Sequence, residues 1–178
     1  MSTIQQQTTV VPTGTWTLDP VHSSIGFAVK HNTVMTFRGT FKDVDAKLVD
    51  GRLEGTAKVA SVVVDDPNLV GHLQTPDFFD AEQYPELRFS SKPIEREGDR
   101  VSIEGDLTLR GVTLPVEITG TITGPITDAY GGERAGLDVE TTINRRDYGI
   151  NWSLELPSGE PALADDVVIT ANLELVQA

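Results

Sequence analysis

Along most of this chain, apolar and polar residues alternate with a period of two. In VSIEGDLTLR, Val101, Ile103, Leu107 and Leu109 share one face, while Ser102, Glu104, Asp106, Thr108 and Arg110 take the other. VEITGTITG sets Val116, Ile118 and Ile122 against Glu117, Thr119, Thr121 and Thr123. GLDVETTIN sets Leu137, Val139 and Ile143 against Asp138, Glu140 and Thr142. Near the C-terminus, Val167, Ile169, Leu173 and Leu175 oppose Thr170, Asn172 and Glu174. This rhythm predicts antiparallel strands with one buried and one wet face. Turn dipeptides separate them at Asp50-Gly51, Gly98-Asp99, Arg110-Gly111 and Gly131-Gly132, and the shortness of the Arg110-Gly111 turn makes its neighbours a hairpin. One stretch breaks the pattern. DDPNLVGHLQTPDFFDAEQYPELRF is punctuated by Pro67, Pro76 and Pro85 and puts Leu69, Val70 and Leu73 at helical spacing. Asp66 as cap and Pro67 in the first turn predict one or two helical turns there.

About eight or nine strands with one helical insertion predict an all-β barrel or sandwich. The strands are long, with Arg100 to Arg110 spanning about 33–36 Å, and long strands with a single apolar face favour a closed barrel without sticky edges. Such a barrel is either filled by side chains or holds one small ligand. LEGTAKVASVVV places Leu53, Gly55, Ala57, Val59, Ser61 and Val63 on one face, and Gly105, Gly120, Gly124 and Ala171 also fall on the apolar side. Read one way, these small residues leave an apolar volume for a lipid; read the other, they mark bulges and barrel corners. With aromatics at 6% of the chain, periodicity alone leaves both open. The 178 residues fit one domain, read as a flexible polar tail over 1–13 and the barrel over 14–178.

Charge and composition narrow the function. There is no cysteine, which excludes disulfides, thiolate nucleophiles, iron–sulfur clusters and cysteine-held zinc. A net charge of −13, from 14 Lys and Arg against 27 Asp and Glu, repels a phosphate backbone, and the longest basic run is Arg145-Arg146; no nucleic acid partner is expected. No apolar run approaches the roughly 18 residues of a membrane span. The opening MSTIQQQTTVVPTG lacks the basic and apolar regions of a secretion signal, so the expected location is the cytoplasm.

The three histidines are His22, His31 and His72. His22 and His31 are nine residues apart, an odd spacing that puts them on opposite faces of an unbroken strand. No H-x-H or H-E-x-x-H is present, and a cysteine-free zinc site needs three converging ligands; no metal is expected. Nor is there a G-x-S-x-G elbow, a G-x-G-x-x-G or a Walker loop. His22 is read either as a residue hydrogen-bonded near Asp19 or as a donor at a cavity mouth. In NRRDYGINW, Arg145, Arg146 and Asp147 form a surface ion pair, or one arginine faces inward toward an anionic head group. Phe78 and Phe79 read as core under the helix ahead of a ligand gate.

At this point the chain resembles the YceI-like proteins, from about Thr15 to Val176. WTLDPVHSSIGFAVKH carries Asp19, His22, Ser23, Phe27 and His31 at the family's places; RGTF follows with Gly39 and Phe41. GHLQTPDFFDAEQYPELRFSS, GDLTLRGVTLPV and INRRDYGINW complete five motifs in the family's order. The resemblance implies an antiparallel, lipocalin-like β-barrel of about eight strands with a short helical insertion. It also implies an apolar pore for polyisoprenoid or other long amphiphilic lipids, frequent homodimers, and no established enzyme activity or separate cofactor. Many members carry a secretion signal, which this chain does not show, and Gln74 stands where the family commonly has a basic residue. A ten-carbon chain gains about 8 kcal/mol on burial and twenty carbons about 16, against an association cost of roughly 4–15 kcal/mol, so long chains are favoured.

The reading is therefore a non-enzymatic binder, store or carrier of a long-chain isoprenoid lipid. Its pore is lined by Phe27, Val59, Val63, Phe78, Phe79, Leu107, Leu109 and Ile143, with His22, Arg146 and Asp147 at the polar end. The alternatives are an enzyme acting on a bound isoprenoid or quinone precursor with His22 as general base, and a stress-linked structural barrel with a filled core.

Overall fold

A computed structural model describes residues 11–178. The chain runs through β1 (Thr15–Leu18), β2 (Ser24–His31), β3 (Met35–Phe41), β4 (Val44–Val49), β5 (Arg52–Lys58) and β6 (Val62–Val63), then the helix α1 (Pro67–Leu73). It continues through β7 (Glu86–Pro93), β8 (Glu95–Glu97), β9 (Arg100–Leu109), β10 (Val112–Thr127), β11 (Glu133–Asn144) and β12 (Leu163–Gln177). These twelve strands form one antiparallel sheet, in which β12 pairs with β11 on one side and with β2 and then β1 on the other. Because β1 and β2, β3 and β4, β5 and β6, and β7 and β8 each follow one another along a bent stave, the result is a closed barrel of eight antiparallel staves. Of the tail read over 1–13, residues 1–10 lie outside the described residues; Val11 packs against the barrel core and Pro12 is buried.

Local chemistry explains the turns and bends. Asp50-Gly51 and Arg110-Gly111 both have positive φ at each residue, +47° and +81°, then +52° and +72°, the backbone that a two-residue hairpin requires. Arg110 is an unusual residue for that conformation; its Nη1 donates to the Gly149 carbonyl at 2.8 Å and so ties the turn to a neighbouring loop. The first stave bends at the 3-10 turn Pro20–His22, where proline lacks the N–H to continue a ladder and the Asp19 carboxylate accepts from Val21 N at 3.0 Å. The helix begins as the sequence predicts, with Asp66 accepting from Asn68 N at 2.9 Å and Pro67 in the first turn.

One bend overturns a parity assignment. A 3-10 turn at Val59–Ser61 interrupts the third stave, with the Ser61 hydroxyl donating to Lys58 O at 2.6 Å. The alternation slips by one residue, so Val62 is 3% exposed and Val63 is 48% exposed. Val63 therefore faces solvent and not the interior. Three of the inward glycines, Gly105, Gly120 and Gly124, are also not empty space. A Cβ on Gly105 would stand 2.6 Å from the Phe89 ring, and one on Gly120 would collide with the β11 backbone at Asp138. Gly124, at φ +92°, sits at a register shift between β10 and β11. These three positions mark close approach and a bulge.

The interior divides into two levels. In the lower one, Trp16, Leu48, Ile103, Leu137 and Leu175 pack a solid core in which each is at most 2% exposed. The upper level, under α1, is built from Phe41, Val59, Leu73, Phe79, Leu107 and their neighbours. Ile25 and Phe89 touch both.

The filled end is bolted by charge. Asp19 Oδ2 accepts from His22 Nδ1 at 2.8 Å and from Arg134 Nη1 at 2.7 Å. Arg134 also donates to Glu174 at 3.0 Å and Asp128 at 2.7 Å. The hydrogen bonds from His22 and then Arg134 hold the Asp19 carboxyl well below its ordinary range, and Arg134 holds Asp128 down to about 2. Asp19, reinforced by Glu174, raises the His22 imidazolium above its usual 6.5. A lowered carboxylate contributes stability that is lost as pH falls through its folded value. A raised histidine contributes stability that is full below its unfolded value and lost as pH rises through its folded one. This network should accordingly be tightest from about pH 4 to 6.5. Thermal melts across pH should show stability declining on both sides of that window, and His22→Gln should abolish the decline on the alkaline side.

Candidate functional site

The upper level of the barrel is hollow. It holds a cavity of about 390 Å³, within the size range of small-molecule sites. Its wall follows from strand parity. Ile25, Phe27, Val29 and His31 alternate along β2, and Met35, Phe37 and Phe41 continue the same face along β3 after the hairpin. Val167 and Ile169 extend this face onto the neighbouring β12, where they pair with Val29 and Phe27, Leu107 of β9 closes the opposite side, and Leu69, His72 and Leu73 of α1 cover the top. The loop after α1 bonds tightly to itself, with Thr75 Oγ1 donating to His72 O at 2.6 Å and Phe79 N to Leu73 O at 2.9 Å. That loop delivers Phe78 and Phe79 to the wall.

The few aromatics of this chain are concentrated here. Of its six phenylalanines, five line the cavity, and the sixth, Phe89, packs at the boundary with the solid core. Phe27 meets Phe41 at 5.9 Å and Phe79 edge-on at 6.1 Å. Nearer the mouth, the His72 ring stands edge-on to Phe78 at 4.9 Å and to Trp152 at 5.5 Å. Such tilted and edge-to-face contacts favour a stiff wall.

Four polar side chains line this wall: His31, Thr36, His72 and Arg145. His31 ends β2 and Thr36 is the second residue of β3, so both sit beside the hairpin that joins these strands. His72 Nε2 lies 3.0 Å from Asp77 Oδ2. Arg145 is only 2% exposed. Its guanidinium donates to the carbonyls of Ala164 at 2.8 Å, Ile150 at 2.9 Å, Trp152 at 2.7 Å and Leu163 at 3.1 Å. The nearest carboxylate, Asp165, stands 3.7 Å away, and burial lowers the arginine's pKa. A guanidinium stays charged regardless, so a fixed positive group borders a chamber whose wall is mostly apolar.

Of the residues read from the sequence as pore-lining, Phe27, Phe78, Phe79 and Leu107 stand on this wall. Val59, Leu109 and Ile143 are buried in the apolar cluster around it, behind the surface, and Val63 points outward. The three assigned to the polar end are elsewhere. His22 is in the charged network beside the filled level, at the far end of β2 from His31. Arg146 and Asp147 are exposed, with Arg146 Nε donating to Asp165 at 2.6 Å. The reason is a 3-10 turn over Arg145–Tyr148, capped by Asn144. Residues three apart eclipse in such a turn, so Arg145 and Tyr148 face inward together and the two between them face out. The signal was present in Asn144 before the turn and Gly149 after it. Gln74 donates to Val59 O at 2.8 Å and is not on the wall.

Asp19, His22 and Glu174 bring three ligand-type atoms within 4.8 Å of one another. Arg134 already donates to the same two carboxylate oxygens, so a guanidinium occupies the position a cation would take.

The profile of the YceI-like domain family matches residues 16–175. The UPF0312 protein plu2095 of Photorhabdus laumondii is 34% identical over 149 residues, covering 80% of this chain and 78% of its own. Among solved structures, BcnA of Burkholderia cenocepacia superposes with a TM-score of 0.73 at 22% identity, over 88% of this chain and 98% of that one. A polyisoprenoid binding domain from Saccharophagus degradans superposes with a TM-score of 0.68 at 14% identity, over 92% and 98%.

Replacing Arg145 by Met should leave four carbonyls without their donor. Hydrogen bonds from a charged group contribute about 1.5–3 kcal/mol each and are not additive, so a loss of about 3 kcal/mol or more is expected. In a domain of this size that lowers the melting temperature by roughly 6–12 °C. Arg145→Lys should recover little of it, because one ammonium cannot span four carbonyls.

Proposed function

This chain belongs to the YceI-like family, and from that membership together with the cavity we propose that it binds an amphiphilic lipid of the isoprenoid class. The tail lies in the hollow upper level and the head group lies at the mouth. The observation that carries this reading is the segregation of the wall. Phenylalanine, leucine, isoleucine and valine form its depth, while His31, His72 and Arg145 gather toward one end. A chamber of that kind suits a ligand that is greasy along its length and polar at one terminus. The similarity to a polyisoprenoid binding domain supports the isoprenoid class.

The binding energetics favour a carrier. Burying an apolar tail gains about 0.8 kcal/mol per CH₂ without any bond being made or broken, so release needs only a competing apolar surface. The enzyme alternative with His22 as general base loses its geometry, since His22 belongs to the filled end. The filled-barrel alternative applies to the lower level alone.

Two measurements test the proposal. Native mass spectrometry of protein purified from cells should show a single bound isoprenoid-class adduct. Farnesol added to delipidated protein should change the emission of Trp152, which stands on the cavity wall, while Trp16 remains packed in the solid core. No adduct, together with no response to any prenol, would refute lipid binding.

A further inference from the structure

We propose that the floor of this cavity makes it a ruler, accepting a prenyl tail of about three isoprene units and excluding the remainder of a longer one. The inference rests on the lipid-binding reading and adds a length limit and the residues that set it. The first observation is capacity. An apolar cavity of about 150 Å³ takes one benzene, or roughly 25 Å³ per carbon. By that measure 390 Å³ accommodates about fifteen carbons.

The second observation is the floor. Along β2 the wall runs from Ile25 to His31, about 20 Å at 3.3 Å per residue. Ile25 and Phe89 both pack against the solid lower core as well as the upper cluster. Beneath them Ile103 and Leu48 are completely buried, and none of the buried residues of the lower core lines the cavity. Phe89 takes its place at this boundary because Gly105, diagonal to it on the neighbouring strand β9, has no side chain; a Cβ there would stand 2.6 Å from the ring. Phe89 and Ile25 are therefore specificity-determining residues for tail length. Tail carbons beyond the fifteenth would have to stay outside the mouth in water.

The experiment is a prenol series of two, three, four and eight isoprene units, titrated into the delipidated full chain and followed by Trp152 emission and calorimetry. Affinity should rise at least tenfold from two units to three and then level off or fall. Phe89→Ala should move the break toward four units, raising the four-unit affinity relative to three by tenfold or more. Ile25→Phe should move it the other way, weakening three units against two, and this variant decides the matter if Phe89→Ala fails to fold. Affinity that climbs steadily to eight units, or a break that neither variant moves, would overturn the ruler while leaving lipid binding intact. Failure of every prenol to bind would overturn the binding reading and the ruler together.

Discussion

Everything distinctive about this barrel depends on one contact, the Phe89 ring laid over Gly105. Eight staves enclose a column that side chains can just fill, so its contents are decided level by level by single residues. Here an aromatic ring, seated over a glycine of the neighbouring strand, packs against both levels and marks the boundary between them. Below that contact the interior is as solid as any small protein core; above it five rings line a hollow. The same eight-stranded architecture therefore serves as both a foundation and a container.

A hollow weakens a fold. The apolar residues around it lack the contacts that a filled interior would give them. The structure offsets this at both ends. The lower core and its network around Arg134 hold the staves together where they are filled. Around the mouth, Arg145 gathers four carbonyls, Arg110 ties a hairpin to the Gly149 loop, and Gln74 anchors the helix end to Val59. Arg145 thus both borders the site and helps to keep its rim in place.

Much of this was legible in the sequence. Alternation along β9 to β12 identified inward and outward faces, and Asp66-Pro67 located the helix start. The five ordered motifs identified the family. What escaped had local causes. Two 3-10 turns, at Val59–Ser61 and Arg145–Tyr148, break the count of two, and each moved an assignment by one residue: Val63 outward, and Arg145 in place of Arg146 inward. Gly105 and Gly120 were visible as inward glycines, but whether a missing Cβ leaves space or admits a neighbour depends on partners distant in sequence, Phe89 and the β11 backbone. His22 illustrates the same limit, since Glu174, which it faces, and Arg134, which shares Asp19 with it, lie more than a hundred residues away.

Separating the two levels also separates their tolerance of change. The residues that hold the staves closed, from Trp16 to Leu175, contribute nothing to the chamber wall, and most of the wall lies outside the solid core. Substitutions at Val29, Phe37 or Val167 can reshape the chamber without disturbing the foundation beneath it. Descendants of such a chain are free to diverge in the shape of the chamber while inheriting an unchanged base.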